Sequence, residues 1–213
     1  MNKRLITLAT AGCFALLATA AGAFQEAPML QEKVAAGDLP PLEERLPAEP
    51  MVMEVVESVG EYGGTLRRAI LGGGDQHNMV RTIGSENLVR WNSTWSEVLP
   101  NIAESWEVSD DASTFTIKLR EGMRWSDGAP FTADDIMFWY EDVFNNELLT
   151  PSKDATFVGP AGPATVRKID DTTVEFDFGA PNGLFIQNLA YGFGYHPIAF
   201  PKHYLSQFHE EDR

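Results

Sequence analysis

Cysteine is almost absent from this chain of 213 residues, since Cys13 is the only one. It lies in an apolar run, residues 5–20, which follows two basic residues and precedes small residues that end at Ala23. A short basic segment, an apolar core too short to span a membrane and a small-residue cleavage site form the layout of a secretory signal peptide. We predict cleavage after Ala23, so that the signal peptide is residues 1–23. The mature chain would then fold without disulfides and have no thiol chemistry.

Two alternatives stay open for this leader. It can remain attached as a membrane anchor, or Cys13 can carry a lipid, because it follows the small residue Gly12. Thr10 stands where an aliphatic residue is usual in lipoproteins, and the apolar run continues past Cys13. Both features favour cleavage after Ala23.

Basic residues are also scarce, because 16 Lys and Arg are set against 31 Asp and Glu, a net charge of −15. Such a surface repels phosphate backbones and anionic lipid, so we expect no nucleic-acid partner. The charge is explained by solubility, with at most a weak preference for cationic or neutral ligands.

The chain lacks the short motifs that mark common catalytic and cofactor sites. No serine lies in G-x-S-x-G, no Gly-Lys-Ser/Thr follows a glycine-rich loop, and no two histidines have metal-binding spacing. The adjacent aspartates fall at turns or helix starts, where Asp has a local backbone role; these pairs are Asp110-Asp111, Asp134-Asp135 and Asp170-Asp171. We therefore predict no enzyme, no cofactor and no metal site. The histidines are His77, His196, His203 and His209.

Proline and glycine divide the amino-terminal part of the chain. We interpret residues 24–63 as a proline-rich extension with one short helix at 29–36, closed by Gly37. We predict a strand at 65–71, which leads into a loop of Gly72, Gly73, Gly74 and Asp75, and a short helix at 86–91. A strand that enters a glycine-rich loop indicates either a close approach of backbone to a ligand or simple turn flexibility.

Two hairpins give the clearest strand patterns. The first spans residues 103–119 and turns at 110–113, and the second spans residues 165–178 and turns at 170–171. Alternation predicts one buried face for each hairpin. The residues on those faces are Trp106, Val108, Phe115, Ile117 and Leu119 in the first, and Val174, Phe176 and Phe178 in the second.

A capped helix lies between the hairpins. Thr132 is predicted to cap it by accepting a hydrogen bond from the amide of Asp135, and Asp134 and Asp135 suit its positive end. The apolar stripe of the helix is Ile136, Trp139, Tyr140 and Val143. Two further helices, at 182–190 and 201–208, complete an order that predicts an α/β (α+β) chain with a mixed sheet.

Tryptophan is frequent, with five residues in 213. Trp106 and Trp139 lie on predicted core faces, so packing explains them. Trp91 and Trp95 lie instead in a polar, irregular segment beside Asn92, where a large ring can stack on a sugar or on a ligand side chain. We identify Trp91, Asn92 and Trp95 as candidate ligand-binding residues.

The stretch from Pro100 to Phe138 resembles the signature region of the family 5 extracellular solute-binding proteins. These are the oligopeptide-, dipeptide- and nickel-binding components of ABC importers. The positions that carry the resemblance are Pro100, Ala103-Glu104-Ser105-Trp106, Asp110-Asp111, Phe115, Leu119-Arg120, Gly122, Trp125, Asp127-Gly128, Phe131-Thr132-Ala133-Asp134-Asp135-Ile136 and Phe138. Residues 166–178 and 197–204 are similar to later segments of the family, and the resemblance extends over 63–205.

This resemblance implies a periplasmic-binding-protein-like type II fold, in which two lobes close on a ligand and the closed form docks on a membrane permease. It implies a periplasmic monomer that captures peptides or similar small polar solutes. Family members are more than twice as long, so we interpret residues 64–213 as a truncated first lobe. By position, the cleft-facing places are Gly73, Gly74 and Asp75, the segment 91–95, and the loop 145–157, with Phe157 as its candidate aromatic.

Three alternatives stay open: another ligand, another class of protein, or a structural remnant that binds nothing, since the second lobe of the family has no counterpart in this sequence. The tryptophans keep an oligosaccharide-binding member of the same family open. A secreted carbohydrate-active enzyme or module is the alternative from another class, and a pair of carboxylates facing each other across a groove would favour it.

Overall fold

The computed structural model describes residues 24–75, 86–192 and 194–209, so the predicted signal peptide and His77 lie outside the described residues. Among the described residues, those up to Leu42 and those from Glu43 onward form separate compact units. In the first unit, helix α1 (Pro28–Ala36) ends at Gly37, whose left-handed backbone (φ 79°) lets its N–H donate to Val34 O at 3.1 Å. The predicted short helix is confirmed. Within the described residues, no helix has the length and apolar character needed to cross a bilayer.

The second unit is a mixed α/β structure, as the sequence predicts. Its strands are β1 (Val89–Trp91), β2 (Val98–Pro100), β3 (Ala103–Val108), β4 (Thr114–Leu119), β5 (Val158–Gly159), β6 (Gly162–Pro163), β7 (Thr165–Asp170) and β8 (Thr173–Asp177). Its helices are α2 (Leu42–Arg45, which begins at the unit boundary), α3 (Ala133–Phe138), a π-helical continuation Trp139–Phe144, α4 (Phe185–Leu189) and α5 (Lys202–Leu205). Short 3-10 turns occupy Gly73–Asp75, Ala155–Phe157, His196–Ile198 and Ser206–Phe208.

The main sheet is antiparallel with strand order β3-β4-β8-β7. Each predicted hairpin forms one half of it, and β4 pairs with β8 so that Phe115 lies opposite Phe176 and Ile117 opposite Val174. The buried face of β4 and β8 is the one that the alternation predicts. A one-residue slip would move the whole apolar set to the opposite face, so this pattern fixes the register.

An aromatic core fills the space against this sheet. Phe185 of α4 lies against Phe115 (ring centroids 4.9 Å apart), Phe178 (4.8 Å) and Phe176 (5.3 Å). Ile136 and Trp139, from α3 and its continuation, are also buried in this cluster. The rings of Phe115, Phe178 and Phe185 meet edge to face, so they contribute both buried area and favourable ring contacts.

The cap of α3 also ties the helix to a distant segment. Thr132 Oγ1 accepts from the N–H of Asp134 at 3.2 Å, and it also accepts from the N–H of Asp135 in a capping box, as the sequence predicts. Asp135 Oδ2 accepts from Thr132 N at 2.9 Å, and its Oδ1 accepts from Lys202 N at 2.9 Å. The Asp135 carboxylate, only 4% exposed, therefore holds the first turn of α3 against the first turn of α5.

The helix departs from the predicted α-periodicity after Phe138. Residues Trp139–Phe144 form a π-helix, in which the N–H of Asn145 donates to Tyr140 O at 3.0 Å. The wider turn rotates the residues that follow, so Phe144 is buried while Val143 of the predicted stripe is only half-buried. Such turns are frequent at functional sites.

Three local predictions are wrong. Residues 86–91 form no helix, because Val89–Trp91 pairs with Val98–Pro100 as a strand. Residues 65–71 form no strand, because a strand needs a hydrogen-bonded neighbour and the described part of the chain gives them none. Val108 is 46% exposed, since it lies at the end of an edge strand.

Candidate functional site

Trp91, Trp95 and Tyr191 form an exposed aromatic cluster, called here the aromatic platform. The rings of Trp91 and Trp95 are stacked, with centroids 5.9 Å apart and planes inclined by 20°. Tyr191 meets Trp95 at 6.0 Å with planes inclined by 66°. Trp95 is 62% exposed and Tyr191 50% exposed, whereas Trp91 is half-buried against the core. The platform thus joins two segments that lie far apart in the sequence.

Asn92 organises the loop that carries Trp95. Its Oδ1 accepts from the N–H of Ser96 at 2.9 Å, its Nδ2 donates to Ser96 Oγ at 3.0 Å, and its own N–H donates to Glu97 O at 2.9 Å. Thr94 Oγ1 lies 2.8 Å from Ser96 Oγ. The predicted ligand residue Asn92 therefore has a positioning role in the loop, and its neighbours place hydroxyl groups beside the aromatic platform.

A groove of about 390 Å³ adjoins the platform at Trp91. The end of the β1–β2 hairpin, the edge strand β3 and helix α4 form its walls. Its lining combines aromatic, aliphatic and acceptor groups, including Trp91, Glu97, Trp106, Phe115, Ile186 and Gln187. Trp106 was predicted to be a core residue, and it is half-buried along this groove.

The predicted site residues Gly73, Gly74 and Asp75 form an exposed 3-10 turn of their own. Asp75 Oδ2 accepts from Leu71 N at 2.8 Å, and Asp75 N donates to Gly72 O at 3.0 Å. A Cβ built on Gly73 or Gly74 would meet nothing within 4 Å, so no contact described here requires glycine at either position. These residues stay a prediction as ligand contacts.

Phe157 lies in the core. Its ring is 1% exposed and packs against Trp139 at 4.8 Å between centroids, with Phe176 and Phe185 each at 6.2 Å. In this conformation it offers no open ring face to a ligand.

The loop before Phe157 borders a larger apolar pocket of about 700 Å³. The π-helical turn, residues 149–154 and the segment 196–209 surround it. Two His–Asp pairs lie at its rim: His196 Nδ1 is 3.4 Å from Asp154 Oδ2, and His209 Nε2 is 3.2 Å from Asp142 Oδ1. Its size and largely apolar lining are those of small-molecule sites. The predicted cleft-facing loop 145–157 therefore borders a cavity through residues other than Phe157.

Burial lowers the pKa of His196 from its ordinary value, and Asp154 only partly opposes this effect. A lowered histidine pKa favours the neutral form in the folded state. The neutral imidazole of His196 therefore contributes stability that is fully present above the pKa that histidine has in the unfolded chain. It is lost as the pH falls through the folded pKa. We expect His196→Gln to flatten the fall in Tm between about pH 7 and pH 5. The control His203→Gln removes another imidazole that pairs with an aspartate, Asp127. If that variant flattened the slope equally, the effect would not belong to His196.

Asp111 has the local turn role that the sequence predicts, whereas Asp134 and Asp171 pair with the side chain of Lys168. Asp111 Oδ1 accepts from the hydroxyl groups of Ser109 (2.7 Å) and Ser113 (2.8 Å), and these bonds lower the pKa of Asp111. Lys168 Nζ donates to Asp171 Oδ1 at 2.6 Å and to Asp134 Oδ1 at 3.0 Å. Within residues 24–75, 86–192 and 194–209, no three His, Cys, Asp or Glu side chains form a group that could hold a metal.

Comparison with known proteins gives a consistent result. The model of the bacterial extracellular solute-binding proteins, family 5 (middle region), matches residues 97–211. The periplasmic alpha-galactoside-binding protein of Rhizobium meliloti (strain 1021) is 37% identical over 175 residues, which cover 73% of this chain. Among solved structures, an oligopeptide-binding protein OppA superposes on 89% of this chain with a TM-score of 0.79 and 40% identity. The periplasmic binding protein MelB of Agrobacterium fabrum C58, in complex with stachyose, superposes on 90% with a TM-score of 0.61 and 32% identity.

These proteins are much longer than the present chain. The matched region is 25% of the length of the Rhizobium protein, 29% of the OppA chain and 32% of the MelB chain. The similarity therefore concerns one part of a larger architecture.

Proposed function

Because the chain belongs to the bacterial extracellular solute-binding proteins of family 5, we propose that it serves an ABC importer by capturing a solute in the periplasm. The solute is a peptide or a similar small polar molecule, and the partner is a permease of the inner membrane. The protein acts as a monomer, exported by the signal peptide at residues 1–23. It performs no chemistry on its ligand.

The observation that carries this proposal is the family match over residues 97–211, which includes the main sheet, α3 with its cap, and α4. Members of this family are binding proteins. The described aspartate pairs support a binding role, because they are engaged in turns, caps and the Lys168 ion pairs and do not face each other across a groove.

We propose that the residues of this chain form one wall of the ligand site. The candidate contacts are Gly73, Gly74, Asp75, Trp91, Asn92 and Trp95, together with the pocket bordered by residues 149–154. In a two-lobed binder, a second wall closes over the ligand. Only a ligand that contacts both walls shifts the population toward the closed form.

A second candidate function is capture of an oligosaccharide by the same kind of importer. The exposed aromatic platform favours it, because flat rings flanked by hydroxyl and amide groups suit sugars. The relatives named above include an alpha-galactoside-binding protein and a protein solved with stachyose.

The test is a thermal-shift and calorimetry screen of the native protein expressed from its own gene. Di- and tripeptides form one set of probes, and stachyose with other alpha-galactosides forms the second. A ligand at 100 times its Kd should stabilise the protein by about 2.7 kcal/mol. Amino-terminal sequencing of the same preparation, released from the periplasm, should begin at Phe24. If neither set raised Tm, solute capture of this kind would be ruled out.

A further inference from the structure

We propose that the aromatic platform is a stacking subsite for a sugar ring, so that the second of the two solute classes proposed above, the oligosaccharide, is the one captured. The inference rests on the proposed solute-binding function and assigns a ligand class to one of its surfaces. Tyr191 was not among the residues identified from the sequence, and it completes the platform.

The backbone of Trp95 has a strained conformation. Its φ of 56° lies in the left-handed region, which bulky L residues rarely adopt. The Asn92 hydrogen bonds hold this conformation, and the N–H of Trp95 itself donates to Asn92 O at 3.1 Å. A strained residue persists only where the surrounding structure enforces it, and such residues cluster at binding sites.

The strained conformation of Trp95 gives the fold little core burial. The Trp95 side chain is 62% exposed, so the residues of this chain cover little of its apolar surface. A neighbouring exposed ring, Tyr191, enlarges the patch. Clustered exposed aromatic rings on a soluble protein mark binding surfaces, whereas single exposed apolar residues are ordinary.

A stack of nearly parallel indole rings favours one type of ligand. The face of an aromatic ring carries partial negative charge, and the edge carries partial positive charge. The C–H groups on one side of a pyranose ring are polarised by neighbouring oxygens and form a flat, weakly positive surface. Such a surface packs on the open part of Trp95 and leaves the hydroxyl groups of the sugar at the rim.

The loop that carries Trp95 also supplies polar side chains. The side chains of Asn92, Thr94 and Ser96 lie at the platform and exchange hydrogen bonds of 2.8–3.2 Å. Their hydroxyl and amide groups can donate and accept, as sugar hydroxyl groups require. The described residues that line the adjoining groove include Glu97 but no Lys, Arg or His, so the groove offers no cation for a peptide carboxylate. A neutral, hydroxyl-rich ligand matches this surface.

The decisive variant is Trp95→Gly in the native protein. Glycine adopts a φ of 56° without strain, so this change removes the ring while keeping the loop conformation. We expect Tm in the absence of ligand to stay the same or rise, and affinity for stachyose to fall at least about tenfold in titration calorimetry. The matched control is Tyr62→Ala, which removes another exposed aromatic ring outside the platform and should leave affinity unchanged.

Four outcomes separate the inference from the proposed function. Binding of stachyose that is lost in Trp95→Gly and kept in Tyr62→Ala supports both. Binding of stachyose with equal affinity in Trp95→Gly overturns the platform as a subsite. Binding of a tripeptide and not of stachyose overturns the oligosaccharide class while the solute-binding function stands. Binding of neither probe overturns the proposed function itself.

Discussion

Replacing Phe157 by alanine is expected to lower the free energy of unfolding by about 3–5 kcal/mol, because the ring is almost completely buried. The ring packs against Trp139, Phe144, Phe176 and Phe185, which come from the π-helical turn, β8 and α4. Its loss would leave a cavity among large, interlocked rings that have little freedom to collapse into it. Denaturant unfolding monitored by circular dichroism measures the change.

The matched control is Phe208→Ala, which removes a phenylalanine ring that is 53% exposed. We expect that variant to lose about 1 kcal/mol or less. If Phe157→Ala unfolded at the same denaturant concentration as the native protein but bound ligand poorly, Phe157 would be a ligand contact, as its place in the loop 145–157 predicts.

The second large effect is expected for Asp135→Ala, which should lower the free energy of unfolding by about 2–4 kcal/mol. The buried carboxylate accepts from the backbone N–H groups of Thr132 and Lys202, at 2.9 Å each. Alanine would leave both donors without this acceptor and would free α3 from the start of α5. The loss should show in equilibrium unfolding, and in faster amide exchange at Lys202 than in the native protein.

The neighbouring residue offers a control of the same type. Asp134 is exposed, lies in the same helical turn and pairs with Lys168 at 3.0 Å. Asp134→Ala should cost only about 0.5–1 kcal/mol, because exposed ion pairs and helix-dipole contacts are weak. Asp135→Asn keeps one acceptor oxygen and should fall between the two. Equal losses for Asp134→Ala and Asp135→Ala would contradict the link between α3 and α5.

The parts of the fold that were predicted correctly depend on short-range patterns. The alternation of Phe115, Ile117 and Leu119, and that of Val174, Phe176 and Phe178, defines a buried face without reference to any distant residue. The turn aspartates and the capping threonine act on backbone groups within a few positions. Residues within the same short segment determine such features, so the local sequence is enough to predict them.

The errors have long-range causes. The strand Val89–Trp91 exists because Val98–Pro100 returns beside it after the loop closed by Asn92, and no periodicity within residues 86–91 records that pairing. The π-helical turn after Phe138 depends on how Trp139 and Phe144 pack in the core, so α-helical periodicity misplaces Val143 and Phe144.

The candidate site was predictable only in part. Trp91, Asn92 and Trp95 are close in sequence, and their polar, irregular context singles them out. Tyr191 joins them only because α4 packs against β1, and the sequence offers no signal for this contact. Phe157 was chosen by its place in a loop, and its burial depends on β8 and α4.

The strand order of the main sheet also has a kinetic consequence. The pairs β3–β4 and β7–β8 are each joined by a tight turn, so both can form early and independently. The pairing of β4 with β8 closes a long loop, because Phe115 must find Phe176 far along the polypeptide. We infer that the pairing of β4 with β8 is the slow step of refolding. Shortening the Phe176 side chain should therefore retard refolding in stopped-flow experiments, and an unchanged rate would place the barrier elsewhere.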